Sequence, residues 1–65
     1  MEKDWVLIYS STLETDAVIK KQLLENNEIE AVIINKQDSI YKAFGEIELY
    51  VLRDKVLKAK QLITI

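Results

Sequence analysis

Glu46-Ile47-Glu48-Leu49-Tyr50-Val51-Leu52 is the stretch on which the fold turns. Ile47, Leu49 and Val51 alternate with Glu46, Glu48 and Tyr50, and a period of two marks a strand with one buried face and one polar face. Ahead of it, Ile29 to Ile34 reads as another strand. Glu28 and Glu30 alternate there with Ile29, Ala31 and Ile33, while Val32 and Ile34 make the other face apolar as the strand proceeds. Trp5-Val6-Leu7-Ile8-Tyr9 is a continuous β-prone run, too short for a helix, with Trp5, Leu7 and Tyr9 on one face and Val6 and Ile8 on the other.

Helical segments fill the gaps. From Leu13 to Asn26 the residues are good helix formers, and Leu13, Ala17 and Leu24 fall on one line with Ile19 and Leu23 beside them. Lys20 lies inside that arc and must snorkel. Ser11 and Glu14 have capping-box spacing, with Thr12 as a competing cap, and Asn26-Asn27 is the expected stop. After Arg53-Asp54, Val56, Leu57, Ala59, Lys60 and Ile63 recur at helical spacing, with Asp54 the expected cap.

The order strand, helix, strand, strand, helix defines an α+β domain spanning residues 1–65. Right-handed connection places the third strand antiparallel between the first two. The expected architecture is therefore a βαββα split βαβ: a three-stranded sheet in the order 1-3-2 with both helices on one face. It is a ferredoxin-like unit truncated before its fourth strand. The truncation leaves the first strand as a free edge, and edges attract partners.

Composition narrows the function classes. The chain has 65 residues, 49% of them hydrophobic and 31% charged, which is globular but near the lower size limit for a stable core. With no Cys and no His, disulfides, zinc sites built from those ligands, and Ser-His or Cys-His nucleophile pairs are all excluded. One Gly cannot build a P-loop or a dinucleotide fingerprint. No cofactor and no metal is expected, and the chain is read as a non-enzyme. Self-association is the remaining way to enlarge so small a core, so a homodimer through the sheet face or the first-strand edge is expected. The net charge of −2 argues against nucleic acid, and the five-residue apolar run after Met1-Glu2-Lys3-Asp4 is too short for a signal sequence or a membrane span. The expected location is the cytoplasm.

Function is expected in the connection Asn35-Lys36-Gln37-Asp38-Ser39-Ile40-Tyr41-Lys42-Ala43-Phe44-Gly45, which is longer than an ordinary hairpin loop. It mixes amide, hydroxyl, both charges and two aromatics, so Asn35, Lys36, Asp38, Ser39, Tyr41, Lys42 and Phe44 are the candidate residues for binding a protein or small ligand. The competing reading is structural, with Ile40, Tyr41 and Phe44 capping a thin core and the polar residues forming solvated turns.

A second functional class is single-stranded RNA binding across the sheet. Lys42-Ala43-Phe44-Gly45-Glu46-Ile47 matches the third-strand signature of RNA-recognition domains at Lys42, Phe44, Gly45 and Ile47, and Ile8-Tyr9 sits where the first-strand signature falls. Glu46 and Glu48 stand against it, because carboxylates repel phosphates.

Three segments carry a resemblance to a known family: Gln22-Leu23-Leu24-Glu25-Asn26-Asn27-Glu28-Ile29-Glu30-Ala31, Asn35-Lys36-Gln37-Asp38-Ser39, and Phe44-Gly45-Glu46-Ile47-Glu48-Leu49-Tyr50-Val51. Together they resemble small bacterial domains of unknown function that carry the label of prokaryotic signal-transducing proteins. The resemblance runs from Trp5 to about Ile63, and the family often has Gly where this chain has Glu28. It implies a βαββα fold similar to the nitrogen-regulatory PII-like group, a bacterial source and no known catalysis.

Overall fold

The computed structural model describes residues 4–36 and 47–63. Strand β1 spans Trp5–Ser11, helix α1 Glu14–Asn26, strand β2 Ala31–Asn35 and strand β3 Ile47–Leu52; a 3₁₀ turn at Arg53–Lys55 then leads into helix α2, Val56–Ile63. The sheet order is β1-β3-β2, and both neighbours run antiparallel to β3. This is the α+β, truncated ferredoxin-like arrangement expected from the order of elements.

The alternation in β3 does what its period predicts. Ile47, Leu49 and Val51 are fully buried, while Glu48, Tyr50 and Leu52 on the opposite face are half-buried. Both helices pack on the side of Ile47, Leu49 and Val51 and touch each other there. Leu24 and Ile29, Ala31 from β2, and Ala59 and Ile63 from α2 complete the core. Full burial of a side chain such as Leu24, Ile29 or Leu49 contributes about 1.5–3 kcal/mol. No charged or polar side chain is buried among the described residues.

A β-bulge sets the faces of β1. Leu7 lies opposite Tyr50, but Tyr9 lies opposite Leu49, so Ile8 is the extra residue. Trp5 and Leu7 therefore share the helix-free face with Leu52 and Tyr50, whereas Tyr9 is moved to the helix side. The expectation that Trp5, Leu7 and Tyr9 share one face holds only up to the bulge. Arg53 N donates to Asp4 O at 2.8 Å, tying the start of β1 to the end of β3.

Helix α1 departs from its predicted stripe. Ala17 and Leu24 are buried, but Leu13 is 63% and Ile19 64% exposed, and Leu23 is also exposed. Lys20 and Lys21, at positions i+3 and i+4 from Ala17, occupy the inward arc between it and Leu24 and are half-buried. Leu13 precedes the helix in an extended conformation, so it is not on the helical wheel at all. It is the N-cap position, and no side chain caps it; Ser11 Oγ instead accepts from Leu13 N at 3.0 Å, so the expected Ser11–Glu14 capping box does not form. Asp54 likewise falls inside the 3₁₀ turn rather than capping α2, and Leu57 is exposed.

The end of α1 is a Schellman motif. Ile29 N donates to Leu24 O at 2.9 Å and Glu28 N to Glu25 O at 3.0 Å, closing the two bonds that define it. Leu24 and Ile29 pack together in the core, as that motif's apolar contact requires. Asn27 is not left-handed; Glu28 is, with φ of 63°. The Asn27 side chain adds a bond from Nδ2 to Leu23 O at 2.8 Å. Because Ile29 belongs to the motif, β2 begins at Ala31 rather than at Ile29.

Among the described residues no helix is long and apolar enough to cross a membrane.

Candidate functional site

Direct partners across an antiparallel pair share a face. Trp5 and Leu7 of β1, Val32 and Ile34 of β2, and Tyr50 and Leu52 of β3 thus form an apolar, half-exposed surface on the side without helices. Toward the start of β3 this surface turns polar. Ser10 and Ile34 flank Glu48, and Lys36 follows the end of β2.

Glu48 organises that polar end. Tyr50, two residues along the same face, donates from its hydroxyl to Glu48 Oε1 at 2.8 Å. Lys36 Nζ lies 3.2 Å from the same oxygen; only 13% of the Glu48 side chain is exposed, against 57% for Lys36. The Tyr50 hydroxyl, helped by the Lys36 ammonium, holds the Glu48 carboxyl below its ordinary value against the opposing effect of burial. The same hydrogen bond raises Tyr50, because an ionised phenol would face a carboxylate. Neither group is pushed toward neutrality, where a general acid or base works best. What the trio offers is a fixed anion, a hydroxyl and an exposed cation beside an apolar surface, a set suited to recognition.

A second polar cluster lies on the helix side. The Tyr9 hydroxyl donates to Asp16 Oδ2, Lys20 Nζ lies 3.3 Å from Asp16 Oδ1, and the same ammonium stands 4.7 Å from the Tyr9 ring centroid. That distance is within cation–π range. The hydrogen bond raises Tyr9 and lowers Asp16. Asp16 also sits in the first turn of α1, where the helix dipole favours a negative charge. The cluster clamps β1 to α1.

Of the residues predicted for binding, Asn35 and Lys36 are seen. Asn35 ends β2, exposed and opposite Ile47 on the helix side, and Lys36 joins Glu48 on the other side. Asp38, Ser39, Tyr41, Lys42 and Phe44 lie outside the described residues. Sequence reasoning passed over the Glu48–Tyr50 pair, although spacing by two on a strand was the available signal. Asp16 and Lys20 also carried an i, i+4 signal, but their meeting with Tyr9 depends on the bulge.

Among the described residues no group of acidic side chains is placed to hold a metal ion. A shallow depression at the opposite end of β3 is lined by Asp4, Leu52, Arg53 and Asp54. Compared with family models, with curated proteins and with solved structures, the chain matches none.

Proposed function

We propose that the chain is a non-enzymatic regulatory or interaction module, of signal-transduction type, that binds a protein or small ligand. The binding surface is the Lys36 end of the helix-free sheet face together with the adjoining 35–45 connection. The observation that carries this reading is the Lys36–Glu48–Tyr50 network set against an apolar sheet face. An exposed cation held by a largely covered carboxylate presents charge in a fixed place without a titrating group, which is what recognition needs and catalysis does not.

The single-stranded RNA reading has weaker support. Tyr9, one of its two stacking residues, lies on the helix side, and Glu48 stays on the face that a strand of phosphates would have to cross.

The test replaces Lys36, Asp38 and Tyr41 with Ala, singly and together. As expected of binding residues, each single change should alter unfolding free energy by less than about 1 kcal/mol, Lys36→Ala the most because it removes the Glu48 ion pair. The triple variant, immobilised beside the wild type, is expected to lose a partner that the wild type retains from a lysate of its own cell. A loss above about 2 kcal/mol from any single change would mean that these side chains hold the fold, and would overturn the reading. Homopolymeric RNA at low salt is expected not to be retained; retention that weakens steeply with salt would favour the RNA reading instead.

A further inference from the structure

Among the described residues the sheet has two edges, β1 and β2, and they are not equivalent. The bulge at Ile8 interrupts the ladder of β1, and bulged edges are poor templates for another strand. Strand β2 pairs with β3 in unbroken register from Ala31 to Asn35. Its sequence, Ala31-Val32-Ile33-Ile34-Asn35, holds no proline and no charge, and among the described residues no strand lies on its outer side. Such an edge is the kind that natural sheets protect or use.

We propose that two copies of this chain pair β2 to β2, antiparallel about a two-fold axis at Ile33, so that two three-stranded sheets become one of six strands. The flanking charges choose this register. Centred on Ile33, it sets Val32 opposite the partner's Ile34, Ala31 opposite the partner's Asn35, and Glu30 opposite the partner's Lys36. By symmetry the Glu30–Lys36 contact occurs twice. A shift of two residues either way separates those charges and leaves two strand residues facing positions beyond the partner's strand. Shifts of one residue are excluded, because opposed residues must lie on the same face and a two-fold edge contact keeps the faces aligned.

Both charged residues reach the surface, although the Lys36 ammonium already stands 3.2 Å from Glu48 and would be shared with the partner's Glu30. Glu30 and Lys36 are exposed, and Glu30 has no ion-pair partner among the described residues. The ladder supplies backbone hydrogen bonds, the apolar rows of Val32 and Ile34 become continuous across the axis, and all four helices lie on one side. For a chain of 65 residues such pairing adds burial that the monomer lacks. The proposal does not depend on the ligand-binding reading: Glu30→Lys tests it at a residue that reading does not involve, whereas Lys36 is shared by the two, so an effect of Lys36→Glu without one of Glu30→Lys counts for the binding reading alone.

Sedimentation of the full chain at high micromolar concentration is expected to show a dimer. Glu30→Lys and Lys36→Glu each turn two attractions into two repulsions and are expected to raise the dimer dissociation constant by about tenfold or more. Each variant is checked for folding by circular dichroism. An equimolar mixture of the two variants is expected to restore the dimer. A chain with ammonium groups at both positions then faces one with carboxylates at both, so the two contacts between unlike chains are attractive again. Amide exchange supplies a readout that needs no variant: β2 amides are expected to gain protection with concentration. A wild type that stays monomeric, or a dimer indifferent to both substitutions, would overturn the proposal.

Discussion

Glu28 carries the conformational cost of ending α1. Its φ of 63° is left-handed, a region where a Cβ meets the adjacent carbonyl and glycine does not. The position is fixed from both sides, by the bonds to Glu25 O and Leu24 O and by burial of Ile29, so the chain keeps the strained turn. Relief of the strain exceeds the extra unfolded-state freedom of glycine. Glu28→Gly is therefore expected to stabilise the fold by about 1 kcal/mol. For a domain of this size the thermal midpoint should rise by roughly 4–8 °C. Glu28→Ala, which keeps the Cβ, is the control and should gain little.

Helix α1 has a corresponding defect at its other end. Leu13 occupies the N-cap with φ −108° and ψ 118°, the backbone a cap requires, but its side chain cannot accept a hydrogen bond. It is also largely exposed, so little burial is lost by replacing it. Leu13→Asp should stabilise by about 1 kcal/mol in urea unfolding, with an unchanged denaturant slope. No change would mean that the bond from Leu13 N to Ser11 Oγ already does the work of a cap. Among the strands, the period of β3 was fully legible, because Ile47, Leu49 and Val51 face a core on one side only. The period of β1 was legible only as far as Leu7, because a bulge is a matter of pairing with β3 and leaves no mark in Trp5–Tyr9 itself.

For the whole molecule, the two tyrosine–carboxylate pairs predict a stability plateau with two limbs. Asp16 and Glu48 are held low, chiefly by their tyrosine hydrogen bonds, so the unfolded chain binds these protons more tightly than the folded one. Their contribution is complete above the ordinary carboxylate range and is lost as pH falls below about 4. Tyr9 and Tyr50 are held high, so their contribution is complete at neutrality and is lost as pH rises past about 10. Urea unfolding across pH should show both limbs. Tyr50→Phe should weaken each of them, because it removes the donor that holds Glu48 low together with the ionising phenol. An acid limb identical to that of the wild type would refute the pairing.

Strand order, helix placement and the inward residues of β3 followed from the sequence, because they depend on hydrophobic period and chain connection, both local in the text of the chain. The candidate site was legible at Lys36, which the length and mixed composition of its connection singled out. Its neighbours Glu48 and Tyr50 were read only as the outer side of a strand. Register alone decided the rest. It carried Tyr9 across the sheet to Asp16, brought Lys36 onto Glu48, and left β2 rather than β1 as the regular edge. These outcomes depend on which residues of two distant strands come opposite each other, and a one-residue slip reverses every face. That is a property of the pair, and neither strand alone contains it.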